Sequence, residues 1–380
     1  MAQKLVVVVD DAIPFVKGAL EPYAEVRYCP GDKINRDIIQ GADALLVRTR
    51  TPCNKELLEG SHVRFVGTAT AGSDHLDTAY LESAGIAWSN APACNASSVT
   101  QYVVSALLEL SRRSRMPLAG KTLGIIGVGN VGSRVMNAAT ALGMRTLLCD
   151  PLRAQIEGKK NFWYVMDMLS HCDVVTLHVP LNEDGPYRTR RLVNAEFLQE
   201  MHSHAWLINA SRGSVVDNAA LSVALRGGSI GGAVLDVWED EPHLDLGLLS
   251  VVDIGTAHIA GYSQDGKANA TTQVVQKMAA VLNIEALKQF SAVPPADASL
   301  VISVDALRKS NQEVIAEVYQ QTYDIAQDNT FLRNNVERFD SLRKQYAPRR
   351  EPFAYKVNLQ HGSDALYMAL KSLGFSVELK

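Results

Sequence analysis

Cysteine is scarce: five residues in 380, Cys29, Cys53, Cys94, Cys149 and Cys172, scattered and without a C-x-x-C pair. That pattern excludes a disulfide framework and a cysteine-built metal centre, and it reads as reduced thiols in a cytoplasmic protein. Positive charge is in deficit as well. With 37 Lys and Arg against 41 Asp and Glu the net charge is −4, the wrong sign for a nucleic-acid binder, whose affinity rests on neutralising phosphates. The short basic run Arg112, Arg113, Arg115 reads as a solvated helix end. Long apolar runs are missing too. The N-terminus passes from Lys4 through Leu5 to Val9 and straight into Asp10, which is too short for a membrane span or an export signal, so no membrane partner is expected. The nine histidines show no ligand spacing with cysteine or carboxylate, so no metal is expected. Internal repeats and low-complexity tracts are lacking.

What remains is an ordinary globular composition, 47% hydrophobic and 21% charged, long enough for two or three domains each with its own core. The run Thr122-Leu-Gly-Ile-Ile-Gly-Val-Gly-Asn-Val-Gly132 is its most specific stretch. An apolar strand leads into Gly127, Gly129 and Gly132, and helical spacing follows from Ser133 to Leu142, which is the G-x-G-x-x-G context for a dinucleotide. Gly127 makes the turn, Gly129 admits a pyrophosphate, and Gly132 lets helix and strand pack while the helix N-terminus faces the phosphates. A second strand, Arg145 to Cys149, ends in Asp150, eighteen residues after Gly132. A carboxylate there suits a ribose 2′-hydroxyl and repels a 2′-phosphate, so NAD is favoured over NADP.

The rest of the chain alternates strands with helical segments. Strands are expected at Leu5 to Val9, Ala44 to Val47, Arg64 to Val66 and Ile86 to Trp88, followed by one long helix from Ala96 to Arg115 that is long enough to bridge two domains. From Lys121 the rhythm continues with strands at Leu123 to Ile126, Thr146 to Cys149, Val174 to His178, Ala205 to Asn209, Ala233 to Val237 and Val251 to Ile254. A helix from Lys267 to Phe290 is expected to return to the first domain, and Val293-Pro-Pro-Ala-Asp297 reads as a linker. The last segment reads as a helix from Asn311 to Gln327, a basic loop Pro348-Arg-Arg-Glu-Pro352, a helix near Asp364 to Leu373 and a terminal strand from Phe375 to Leu379. The expected fold class is α/β: two doubly wound parallel-sheet domains of Rossmann or flavodoxin-like type, plus a small α+β C-terminal domain.

In open α/β sheets the ligand lies beyond the carboxyl ends of the strands, and three polar residues stand there. Arg212 follows Trp206 to Ala210 and offers a planar fork for a carboxylate. Glu241 follows Ala233 to Val237. His258 follows Val252 to Ala257 and is able to take or give a proton near neutral pH. A carboxylate beside that imidazole fixes its tautomer and stabilises its charged form. Each of the three taken singly also has a bland reading, as a structural ion pair, a surface acid or a core histidine. With a nicotinamide cofactor they supply an anchor, a base and the base's partner for removing a hydroxyl proton as a hydride leaves the same carbon.

At these residues the sequence resembles the D-isomer-specific 2-hydroxyacid dehydrogenases. The matching pieces are Ala69 to Asp77, Asn90 to Asn95, the glycine loop, His178-Val-Pro180, Asn209 to Asp217, Leu235 to Pro242 and His258, spread in order over about residues 1 to 290. By that resemblance Arg212 binds the substrate carboxylate, His258 is the acid/base and Glu241 its partner. The chain looks most like a branch of the family that acts on a phosphorylated hydroxy acid and carries an extra C-terminal dimerisation segment. That likeness implies a homodimer. It also implies substrate contacts from Thr49, Thr70 and Tyr262, and NAD contacts from Asn130, Val131, Asp150, Val179, Ala210, Ser211, Arg212, Asp236 and Gly261. Val179 stands where related enzymes can carry a hydroxyl residue, so only a backbone contact is expected there. Ala93 stands where a glycine is common. Arg48 and Arg50, just after the strand Ala44 to Val47, are the candidates for the substrate phosphate, because an arginine fork at a strand end suits that group, with Arg349 and Arg350 of the basic loop as weaker candidates across a dimer. Implied boundaries are 1–95 with 259–290 for a substrate-binding domain that closes with its neighbour over the substrate, 96–258 for the NAD domain and 291–380 for dimerisation. Two other readings stay open: a family member acting on a different hydroxy acid such as 3-phosphoglycerate, and a non-catalytic NAD-sensing corepressor on the same fold.

Overall fold

Short apolar runs dominate the strands, as burial on both faces of a parallel sheet demands. In the computed structural model, which describes residues 4–296 and 300–380, β1 (Leu5–Asp10), β2 (Ala24–Cys29), β3 (Ala44–Val47), β4 (Phe65–Thr68) and β5 (Ala87–Ser89) form one parallel sheet in the order β2-β1-β3-β4-β5. A second parallel sheet is built from β6 (Thr122–Ile126), β7 (Arg145–Cys149), β8 (Val174–Leu177), β9 (Trp206–Asn209), β10 (Gly232–Leu235) and β11 (Ile254–Gly255), in the order β11-β10-β9-β8-β6-β7. The third, parallel and smaller, is β12 (Val301–Asp305), β13 (Lys356–Gln360) and β14 (Ser376–Leu379).

The chain divides into two compact units, Met1–Asn95 with Ser263–Asp297, and Ala96–Tyr262 with Ala298–Lys380. The first holds the five-stranded sheet. Its helix Gln264–Leu282 puts Ala270, Val274 and Met278 into one core with Val7, Leu46 and Phe65. The second holds the other two sheets, and its largest core is continuous between them: Val357, Leu359 and Leu370 are fully buried together with Val103, Leu107 and Leu123. Burying each such side chain stabilises by about 1.5–3 kcal/mol. The C-terminal segment is therefore packed into the unit that carries the glycine loop.

Several elements differ from expectation. β2 is an edge strand of mixed polarity, Ala-Glu-Val-Arg-Tyr-Cys, with one fully buried residue, and it lacks the apolar run that betrays its neighbours. The expected strand Val251 to Ile254 begins only at Ile254, because Asp245 accepts from the amides of Gly247 and Leu248 and commits Leu246–Val251 to a helix. The helix expected to reach Phe290 stops at Leu282, where Asn283 takes the left-handed conformation that ends helices. The helix expected from Asn311 to Gln327 is two, Asn311–Thr322 and Ile325–Asn334, with Asp324 capping the second. β12 and β13 have no counterpart among the strands expected from the sequence. Of the linker, Asp297 lies outside the described residues and 293–296 carry no regular structure.

The long helix Ala96–Ser114 forms as expected and buries Val99, Val103, Ala106, Leu107 and Leu110. At its end Arg112 and Arg113 both donate to the Glu109 carboxylate at 2.6–2.8 Å. All five cysteines are free thiols, and burial pushes Cys53 and Cys172 up to about 12. Among the described residues no helix is long and apolar enough to cross a membrane, and no group of three or more His, Cys, Asp or Glu is placed to hold a metal.

Candidate active site

The glycine loop follows β6 and opens the helix Asn130–Ala141. Gly127 has φ +87°, and a Cβ there would lie 2.5 Å from the His178 carbonyl oxygen; at Gly132 a Cβ would lie 2.0 Å from the Gly127 carbonyl oxygen. Neither position tolerates a side chain. Gly129 is the opposite case, with open space where its Cβ would be. The helix start carries no side-chain cap, which leaves its first amides without a side-chain acceptor. Asn130 is exposed and Val131 half-buried. Asp150 ends β7 and caps the helix Pro151–Glu157: one carboxylate oxygen accepts from the Arg153 amide at 3.0 Å, the other from the Val128 amide at 2.9 Å. Half-exposed just past β7, it thereby ties the glycine loop to the start of that helix. This cradle fits a dinucleotide: a glycine-sized approach, unfilled helix-start donors and an acid at the neighbouring strand end.

After β9 the turn 210–212 is braced by Asn209. Its Oδ1 accepts from the Ser211 amide at 3.0 Å and the Ser211 hydroxyl at 2.8 Å, and its Nδ2 donates to the Arg212 carbonyl at 3.0 Å. Gly213 lies so close to the Trp238 carbonyl that a Cβ would sit 1.8 Å from it. Arg212 is thus presented on a rigid corner, half-buried, with Nη1 donating to the Ser211 carbonyl at 2.9 Å. In the sequence Asn209 stands only as part of a motif; its bracing role lies in the hydrogen bonds of the folded turn.

The geometry brings Glu241 and His258 together. Glu241 Oε2 lies 2.7 Å from His258 Nδ1, and its Oε1 accepts from the Trp238 amide at 2.8 Å. Burial works against the Glu241 charge, but the hydrogen bond and charge of His258, the Trp238 amide and the Arg343 guanidinium outweigh it and hold the carboxyl below its ordinary value. An ionised Glu241 accepts only, so in the neutral ring Nδ1 carries the proton and Nε2 presents its lone pair. His258 itself has φ +54°, a left-handed backbone that costs a non-glycine residue about 1–2 kcal/mol.

Asp236 holds that backbone in place. Its carbonyl accepts from the His258 amide at 2.7 Å, and its carboxylate accepts from the amides of Ile259 and Ala260 at 2.8 and 2.9 Å and from the Thr256 hydroxyl at 2.7 Å. Thr256 spends its only proton there, so the Tyr102 hydroxyl, 2.8 Å away, donates to it. Asp236 is 1% exposed. Gly261 and Tyr262 follow, both half-buried, with the Arg343 guanidinium 5.7 Å from the Tyr262 ring centre. Val179, just past β8, is half-buried. Sequence reasoning passed over Arg343, which arrives from a helix, Phe339–Lys344, more than eighty residues downstream of His258.

Arg48, Thr49, Arg50 and Thr70 belong to the other unit. The first three follow β3, and Arg48 Nη1 donates to the Ala12 carbonyl, just past β1, at 3.0 Å. β1 and β3 are the strands between which the chain changes direction across this sheet, the place where doubly wound sheets receive ligands. Thr49 and Arg50 are exposed. The Thr70 hydroxyl donates to the Gly72 carbonyl at 2.8 Å and lies 2.7 Å from the Thr68 hydroxyl, to which His75 Nε2 approaches at 2.9 Å. Ala93 has φ +61°, so the loop keeps a glycine's conformation with an alanine in it. Arg349, expected in a basic loop as a weaker phosphate candidate across a dimer, is instead interior at 5% exposed.

The NAD-binding domain profile of the D-isomer specific 2-hydroxyacid dehydrogenases matches residues 96–260, and a domain of unknown function matches 297–374. The erythronate-4-phosphate dehydrogenase of Bacteroides thetaiotaomicron is 44% identical over 353 residues, 92% of this chain and 98% of that protein. The protein of the same name from Edwardsiella ictaluri is 45% identical over 377 residues, 98% of this chain and 99% of that one. A crystal structure of D-lactate dehydrogenase from Aquifex aeolicus, complexed with NAD and lactic acid, matches with a TM-score of 0.62 at 27% identity, covering 77% of this chain and all of that one. A dinucleotide cradle and a carboxylate-paired histidine on consecutive strand ends, joined to near full-length identity of this order, lead to one conclusion: the chain belongs to the D-isomer-specific 2-hydroxyacid dehydrogenases, a family of NAD-dependent oxidoreductases.

Proposed function

We propose that this protein oxidises the 2-hydroxyl of 4-phospho-D-erythronate to 3-hydroxy-2-oxo-4-phosphobutanoate, as a step of pyridoxal 5′-phosphate (vitamin B6) biosynthesis in the cytoplasm. The observation that carries the reading is the 2.7 Å contact between Glu241 and His258, with the glycine cradle in the same unit. The names of the relatives supply the substrate.

Bound NAD, held along Gly127–Gly132, Asp150, Val179, the turn 210–212, Asp236 and Gly261, supplies the acceptor for the hydride that leaves C2. His258 takes the hydroxyl proton at Nε2, and the charge that develops on the ring is stabilised by ionised Glu241 at Nδ1. Arg212 anchors the carboxylate and so orients C2 towards the base. Thr49, Thr70 and Tyr262 touch the substrate, and Arg48 and Arg50 receive its phosphate. A homodimer through the C-terminal segment is part of the proposal.

The test is absorbance at the NADH band when the purified protein meets NAD with 4-phosphoerythronate, 3-phosphoglycerate, D-lactate or glycerate in turn. A strong preference for the first is expected. Preference for 3-phosphoglycerate reassigns the substrate. No signal with any acid, in single turnover and with added 2-oxo acids to exclude trapped NADH, sinks the enzymatic reading.

A further inference from the structure

The two residues after His258 have every main-chain group committed. The amides of Ile259 and Ala260 donate to the Asp236 carboxylate at 2.8 and 2.9 Å. Their carbonyls accept from Arg349 Nη2, at 3.3 Å for Ile259 and 2.5 Å for Ala260. Arg349 reaches them from the C-terminal segment, about ninety residues further along the chain. Its guanidinium lies 4.3 Å over the Tyr323 ring and 5.9 Å from that of Tyr346. Both tyrosine hydroxyls donate to the Asp328 carboxylate, at 2.9 and 2.7 Å. Among the described residues its Nε and Nη1 have no hydrogen-bond partner, so the two carbonyls are its hydrogen-bonded targets.

Burying a cation is costly, and an apolar side chain of equal volume commonly serves packing as well or better. A buried arginine whose hydrogen bonds all go to one loop is therefore explained by the loop. That loop carries His258 in its left-handed conformation, with φ +54°. We propose that Arg349 is a positioning residue for the reaction: with Asp236 on the amide side, it clamps the Ile259 and Ala260 peptides and so fixes where the imidazole of His258 stands. This rests on the reading of His258 as the base. It makes the C-terminal segment part of the working site within its own chain, beside any role in assembly.

The experiment compares the full-length protein with R349K and R349M, measuring kcat and KM for 4-phosphoerythronate, NAD affinity, and hydrogen exchange of the Ile259 and Ala260 amides. A fall in kcat of tenfold or more is expected in R349M, with both KM and NAD affinity within twofold of wild type. R349K keeps the charge and a donor but loses the planar fork, so it should fall between, threefold or more below wild type. Exchange at the two amides should quicken in the same order. Wild-type kcat per folded molecule in R349M, or a loss confined to KM, overturns the proposal. If R349M does not fold, R349K decides alone, and wild-type kcat there overturns it. If wild-type protein turns over no acid, the reading of His258 has failed. The clamp is then judged by exchange, and unchanged protection of the two amides in the arginine variants overturns it.

Discussion

Two sheets in this chain share one strand order over their first five strands, and the second adds a sixth. β2-β1-β3-β4-β5 in the first unit and β7-β6-β8-β9-β10-β11 in the second begin in the middle, step one way and then run back the other. Each therefore has a switch point, at β1/β3 and at β6/β8, where the outgoing loops diverge and leave room for a ligand. The residues placed there differ. At the first stand Arg48, Thr49 and Arg50, opposite the Ala12 carbonyl. At the second stand a glycine cradle, a bare helix start and the neighbouring acid Asp150. Topology marks the place, and side-chain chemistry decides what is held there.

One methyl group added in each unit, at Gly129 of the glycine loop and at Gly31 after β2, where a Cβ would press on Asp10 at the end of β1, tests this comparison. Gly129→Ala meets open space, so the melting temperature should hold while NAD affinity falls about tenfold, roughly 1.4 kcal/mol, read by fluorescence titration. Gly31→Ala in the first unit puts a Cβ 2.4 Å from the buried Asp10 carboxylate. It should lower the melting temperature and leave NAD affinity per folded molecule untouched. Loss of NAD affinity in Gly31→Ala would erase the distinction between the sheets.

Of the same order or larger are the effects of Arg48→Ala and Arg50→Ala. A charge-assisted contact is worth about 1.5–3 kcal/mol, so steady-state kinetics should show KM for the phosphorylated acid rising about tenfold or more, with KM for NAD unchanged. An unchanged KM in both variants removes these arginines as the phosphate site.

Acid sensitivity separates the units more gently. Glu241 is held below its ordinary 4.5, and a carboxyl depressed by folding contributes stability that is fully present above that value and fades as pH falls through the lower folded one. Denaturant melts should show the stability difference between wild type and Glu241→Gln shrinking as pH falls below about 5.

The smallest effect is Ala93→Gly. Relieving a left-handed alanine gains about 1–2 kcal/mol, partly offset by the looser unfolded chain at 0.4–1 kcal/mol. A net stabilisation of about 0.5–1 kcal/mol is expected in the same melts.

Much of this architecture was legible in the residues. Gly127, Gly129, Gly132 and Asp150 announced the dinucleotide half because its geometry demands those residue types at those spacings, and the buried strands announced themselves as apolar runs. β2 and β13 did not, since an edge strand needs no continuous apolar run and the short β13 carries Lys356, Asn358 and Gln360 in five residues. The pairing of Glu241 with His258 was legible as two strand ends of one sheet. Arg343 and Arg349 were not. They meet the His258 loop only through the packing of a distant segment, and local spacing carries no trace of a contact made across ninety residues. Asn209 and Asp236 lay inside recognised motifs, yet their bracing hydrogen bonds appear only with the turns they hold.

We propose that the reaction turns on the carboxylate-paired histidine of the unit that also carries the NAD cradle. The most direct test is the rate of NADH formation from NAD and 4-phosphoerythronate by wild type and by His258→Ala, with NAD affinity measured in both. A fall in kcat of about 10²–10⁴ at unchanged NAD affinity is the predicted result, and turnover by the alanine variant at the wild-type rate would contradict it.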